Sequence, residues 1–219
     1  MAKSRPRVPD IRRRRATQSP KVTLVIAFEG KNTEPDYVRR CCDEYGNGNV
    51  RLVVLEKRGS PGTVVRIALA EREILIERAR KSPDSFDSCF RVWAVFDRDE
   101  HEDFEEAIEL ARANHIDCAF SNPCFELWPL LHIRDHNAPI HRHDLQRLLG
   151  RLMPGYDHDA GAIVDFEQIR NEVDVAIERA ERCYSNRESE GDPCGNPSTT
   201  VHRLVTIIRK NGKKPPSVG

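Results

Sequence analysis

Four apolar runs divide the first 120 residues, and helical periodicity follows each of them. Val22-Thr-Leu-Val-Ile-Ala-Phe28 is continuous, apolar and rich in β-branched residues, as expected of a strand buried on both faces. It ends at Glu29-Gly30. Thr33 then suits a helix N-cap and Pro35 an early helical position, which predicts a helix to about Tyr45, stopped by Gly46-Asn47-Gly48-Asn49. Val50 to Leu55 is a second strand. The turn Lys57-Arg58-Gly59-Ser60-Pro61-Gly62 leads into a helix over about 62–80, with Val64, Val65, Ala68, Leu69, Leu75 and Ile76 in one stripe. Cys89 to Phe96 is a third buried strand and ends at Asp97-Arg98-Asp99-Glu100-His101. Phe104 to Asn114 is a helix, and Ile116 to Phe120 a fourth strand closed by Ser121-Asn122-Pro123. A helix from Cys124 to about His132 follows.

Strand and helix alternate four times, which calls for an α/β fold: a parallel sheet of about four strands, flanked by helices and joined by right-handed crossovers. From about residue 133 the strands disappear. A polar stretch with His132, His136, His141 and His143 precedes helices at about 143–151, 165–184 and 197–210, with a loop from Ser185 to Asn196. Three regions result: an arm over residues 1–20, an α/β core over 21–133, and a helical C-terminal extension over 134–211 packed on that core.

Composition narrows the class. At 219 residues with 38% hydrophobic and 32% charged side chains, the chain is polar but can bury a core. No apolar run approaches the roughly 18 residues of a membrane span, and the basic, proline-broken N-terminus lacks a signal-peptide core. Seven cysteines without a C-x-x-C pair are expected to be reduced thiols of a cytoplasmic protein, several of them in the core. The 35 basic and 35 acidic residues balance only in total. Residues 1–21 carry eight Lys/Arg against Asp10, leaving 27 basic and 34 acidic residues beyond. Arg12, Arg13, Arg14 and Arg15 concentrate four charges. The arm is a candidate phosphate-backbone contact, with a solubilising terminus as the alternative.

Candidate chemistry lies where strands end. In open α/β sheets the ligand site is beyond the carboxyl ends of the strands. Glu29 follows the first strand, and Asp97 and Asp99 follow the third in a D-x-D spacing that can turn both toward one side. Three carboxylates around one point repel unless a cation sits among them, and Mg2+ takes such hard oxygen ligands. Solvated loop acids, and acids favoured by a helix N-terminus, are the plainer alternative.

Five ordered motifs sharpen this. Phe28-Glu-Gly-Lys-Asn-Thr-Glu-Pro-Asp-Tyr37, Gly59-Ser-Pro61, Val95-Phe-Asp-Arg-Asp-Glu-His101, Ser121-Asn-Pro-Cys-Phe-Glu-Leu-Trp128 and Gly195-Asn-Pro-Ser-Thr199 together resemble the RloB-like family, over about residues 21–209. The resemblance implies a Toprim-like core, with a glutamate after the first strand and a D-x-D after the third. Glu29, Asp97 and Asp99 match these positions. It further implies a Mg2+-dependent (or Mn2+-dependent) nuclease cleaving DNA or RNA phosphodiesters in abortive-infection antiphage defence, beside an AAA- or ABC-type ATPase partner. Asp97 and Asp99 would hold metal, with Glu29 as ligand or general acid/base. Glu34 and Glu126 are additional candidate acids; the alternatives are a first-turn helix charge for Glu34 and a buried partner of a basic group for Glu126. Asn122 is a candidate hydrogen-bond partner of a site carboxylate or a brace of the turn before Pro123, and Lys31 a candidate phosphate contact or a solvated loop lysine. Trp128 is expected in the core.

The remaining signals are weaker. Gly59-Ser60-Pro61-Gly62 is first a strand-to-helix turn; with Lys57 and Arg58 beside it, phosphate contact is the alternative. No G-K-[ST] follows, so this is not a Walker A loop, and any ATPase activity is expected from a partner. The histidines lack the H-E-x-x-H spacing of a zinc site. A non-catalytic nucleic-acid-binding or regulatory subunit of an ATPase-containing defence complex is the alternative function. Oligomeric state is left open.

Overall fold

The structure, a computed structural model, describes residues 21–56, 58–98 and 101–213. The arm with Arg12 to Arg15, and also Lys57 and Asp99, lie outside the described residues. The α/β expectation holds. The order is β1 (Val22–Phe28), α1 (Thr33–Tyr45), β2 (Val50–Leu55), α2 (Pro61–Lys81), β3 (Phe90–Asp97), α3 (Phe104–Ala113), β4 (Asp117–Asn122), α4 (Leu127–Ile133), α5 (Arg142–Leu152), α6 (Phe166–Ile169), α7 (Val173–Ser189), β5 (Ser198–Thr199) and α8 (Val201–Gly212).

The sheet runs β2-β1-β3-β4-β5, an arrangement consistent with a Toprim-like fold. β1 lies between β2 and β3, parallel to both, in registers that set Val25 beside Val53 and Val92. β4 continues the parallel sheet beside β3. Side-chain alternation along β1 assigns its two faces. Leu24, Ile26 and Phe28 join Tyr37, Val38 and Cys41 of α1 and the buried residues of α4, α5, α7 and α8. Val25 and Ala27 instead join Val64, Val65 and Ala68 of α2 and Phe104, Ala107 and Ala111 of α3. Both faces are covered, which explains why the strands are apolar without a polar alternation. Trp128 is fully buried, and Cys41, Cys42, Cys124 and Cys183 are buried thiols.

The sheet has a fifth strand, correcting the expectation of strands only before residue 133. Ser198 and Thr199 pair antiparallel with Asn122 and Ser121. A strand of two polar residues shows no periodicity, and here buried polar bonds hold it. Ser121 Oγ and Thr199 Oγ1 are 2.9 Å apart, and the Phe120 amide donates to Thr200 Oγ1 at 3.0 Å. β4 accordingly continues through Ser121-Asn122 rather than closing there. The helix expected over 165–184 is broken by a 3-10 turn at Arg170–Glu172, and α7 then runs to Ser189, into the expected loop. Among the described residues no helix is long and apolar enough to cross a membrane.

Candidate active site

Chain direction and parallel pairing put the ends of β1 and β3 at one rim of the sheet, and four carboxylates gather there. Glu29 is the first residue after β1, and Glu34 the second of α1. Asp97 is the last of β3, and Glu126 immediately precedes α4. All four line one cavity of about 400 Å³, together with Lys31, Phe125, Arg142, Gln146 and His158.

Their bonds differ. Glu29 Oε2 accepts from the Asp97 amide at 3.1 Å, tying the β1 exit to the β3 exit, and Glu29 Oε1 lies 2.8 Å from His101 Nε2. Glu126 is 4% exposed; its Oε1 accepts from the Tyr156 hydroxyl and lies 3.2 Å from His158 Nδ1. Glu34 is folded over Gly30. A Cβ built at Gly30 would come 2.0 Å from Glu34 Oε2, so a side chain there would displace the carboxylate.

Burial and crowding raise the proton affinity of Glu34 and Asp97. The Glu34 carboxyl is pushed up to about 7, chiefly by desolvation and further by the Glu126 and Glu29 charges, against its own backbone amide and Arg58. Asp97 is raised well above the usual carboxylate range, first by desolvation and then by Glu34, Glu126 and Glu29; a Phe125 backbone hydrogen bond opposes this. Among the described residues, no group of three or more His, Cys, Asp or Glu is arranged to hold a metal ion. Asp99, the third member of the expected ligand set, lies outside those residues. The donor chemistry nevertheless fits a hard cation. The acids offer carboxylate oxygen, and a divalent ion would relieve the mutual repulsion that adds to the desolvation of Glu34 and Asp97.

A family model for RloB-like proteins matches residues 24–208. The chain belongs to the RloB-like family. Neither a curated protein nor a solved structure matches it. In this RloB-like chain, Glu29, Glu34, Asp97, Glu126 and Lys31 reach the same cavity. Two other expected site residues are placed elsewhere. Arg58 Nη1 donates to the Phe28 and Leu55 carbonyls at 3.2 and 3.3 Å, bracing the ends of β1 and β2. Asn122 Nδ2 donates to the Cys194 carbonyl at 2.7 Å rather than to a site carboxylate, because β5 brings that loop against the end of β4.

The turn at Gly59-Ser60-Pro61-Gly62 carries its own anion. Asp103 Oδ2 accepts from Ser60 Oγ at 2.7 Å and from the Gly62 amide at 3.0 Å, and these bonds lower its pKa, with Ser60 the main cause. An internal carboxylate thus occupies the α2 N-terminus where a phosphate contact was the alternative. Of the histidines considered for zinc, His132 bonds the Trp128 carbonyl, His141 accepts from the His143 amide at the start of α5, and His143 faces Gln146 Oε1.

His101, Arg142, Gln146, Tyr156 and His158 were not foreseen. His101 closes the third family motif, and its nearness to the D-x-D was an available clue. Tyr156 and His158 lie 30 and 32 residues beyond Glu126, and no spacing rule connects them.

Proposed function

We propose that this protein is a cytoplasmic Mg2+-dependent nuclease that hydrolyses nucleic-acid phosphodiesters, acting in antiphage defence with an ATPase partner. The observation that carries this reading is the convergence of Glu29, Glu34, Asp97 and Glu126 on one cavity at the carboxyl rim of the sheet. Family membership supports the defence context, and the arrangement of acids supports the chemistry.

Glu29, Asp97 and Asp99 are the residues that would hold the metal. A bound Mg2+ would supply Lewis-acid polarisation of the phosphodiester and a more acidic water. His101 holds Glu29 Oε1 and limits how that carboxylate can turn. Glu34, with a pKa of about 7, can hold or release a proton at its carboxyl oxygen near neutral pH, the property of a general acid/base. Tyr156 and His158 fix Glu126, so that acid orients the pocket wall.

The test is incubation with plasmid DNA, genomic DNA and tRNA in Mg2+, Mn2+ or EDTA, with and without the neighbouring ATPase. Cleavage that requires metal and is lost in a folded Asp97→Ala variant is expected. No cleavage of any of these substrates would favour a non-catalytic nucleic-acid-binding or regulatory subunit.

A further inference from the structure

We propose that the face of α5 bearing Arg142 and Gln146 is the anion-binding wall of the acid cavity, and that it takes a phosphate of the nucleic-acid substrate. This rests on the nuclease reading of the cavity and adds to it the groups that grip the substrate.

The cavity has two unlike walls. Glu29, Glu34, Asp97 and Glu126 come from the sheet and the helices beside it; Arg142 and Gln146 come from α5, with His158 and the exposed Asp159 in the loop beyond. Residues four apart on a helix share a face, so Arg142 and Gln146 present together. Gln146 is only 7% exposed. Its Oε1 lies 3.3 Å from His143 Nδ1, which leaves the amide nitrogen as the other end, and that nitrogen is buried with no hydrogen-bond partner among the described residues. A buried donor left unsatisfied is costly, and an acceptor in the cavity would remove the cost. The guanidinium of Arg142 adds a planar fork suited to two oxygens of a phosphate.

Charge favours the same ligand. A phosphodiester entering beside five carboxylates, Asp159 included, is repelled, and among the described residues Arg142 and Lys31 are the lysine and arginine side chains lining that space. Contacts from a guanidinium and an amide to phosphate oxygens carry no base information, so this wall is expected to grip without reading sequence. The fold secures its position. The Asn196 side chain accepts from the Ile140 amide at 3.1 Å and donates to the Ile140 carbonyl at 2.8 Å, pinning the chain two residues before Arg142.

The experiment is nitrogen-15 NMR of the Gln146 side-chain amide in the full chain, titrated with inorganic phosphate in Mg2+. It is paired with cleavage kinetics of wild type, Arg142→Ala, Arg142→Lys and Gln146→Met. Saturable movement of the Gln146 signals is expected. Arg142→Ala should weaken phosphate binding by about ten-fold or more, as loss of a charge-assisted bond implies, and Arg142→Lys should fall between. In kinetics the loss should fall mainly on KM. Gln146 signals that phosphate leaves unmoved would overturn the proposal, and so would an Arg142→Ala enzyme with unchanged KM and kcat, even if wild type is a nuclease. Conversely, a phosphate-dependent shift in a protein that cuts no nucleic acid would support the anion wall and refute the nuclease reading. If Arg142→Ala does not fold, the wild-type titration decides.

Discussion

Replacing Glu34 by Gln tests whether the carboxylates are as crowded as the geometry indicates. Glu34 is 7% exposed, and burial with the Glu126 and Glu29 charges raises its pKa from 4.5 to about 7. A carboxyl whose folded pKa exceeds its unfolded value binds its proton more tightly in the folded state. Its stabilising contribution is therefore complete below about pH 4.5 and is lost as pH rises through about 7. The difference is worth about 3 kcal/mol at pH 8. Glutamine keeps the shape and cannot ionise. Glu34→Gln is therefore expected to be more stable than wild type by about that amount at pH 8, and nearly equal to it at pH 4.5. Urea titrations at both pH values, followed by the fluorescence of buried Trp93 and Trp128, measure this; an unchanged m-value is required for the comparison. Added Mg2+ should stabilise wild type at pH 8 and narrow the gap. A variant equally displaced at both pH values, or less stable than wild type at pH 8, would refute the account of a strained acid cluster.

Tyr156→Phe removes the hydroxyl that donates to buried Glu126, at an expected cost of about 2 kcal/mol, or a melting temperature about 4–8 °C lower by calorimetry. In the Glu126→Gln background the same change should cost clearly less, and equal costs would mean the two residues are uncoupled. Gly30→Ala places a methyl where Glu34 Oε2 now lies, so metal-dependent cleavage should fall by an order of magnitude or more while circular dichroism is unchanged. Deleting residues 1–20 removes seven of the eight basic residues before Val22, which should weaken nucleic-acid binding and flatten its salt dependence; an unaltered salt slope would remove the arm from substrate binding.

The order of elements was legible because β1 and β3 are apolar runs buried on both faces, β2 and β4 keep apolar stretches beside them, and α2 and α3 carry helical stripes. Positions in regular structure constrain residue type strongly, and pattern reading captures that. It failed where a buried segment is held by polar bonds. β5 has Ser198 and Thr199 and no hydrophobic period, and Asn122 finds its partner in Cys194, 72 residues away. Arg58 likewise looked like a free loop cation beside a glycine turn, but two strand-end carbonyls claim it.

The sequence by itself determined the α/β order, the family, and the placing of Glu29 and Asp97 at strand ends, since local residue pattern and strand direction decide these. Only the tertiary structure decided what faces the acids. Glu126 meets Tyr156 and His158, and the donors of α5 line the same cavity as the carboxylates at the ends of β1 and β3, through packing that brings together residues 30 to about 115 positions apart. Such contacts leave no local period in the chain. Likewise, the raised proton affinities of Glu34 and Asp97 exist only once burial has removed water from charges that the sequence keeps separate.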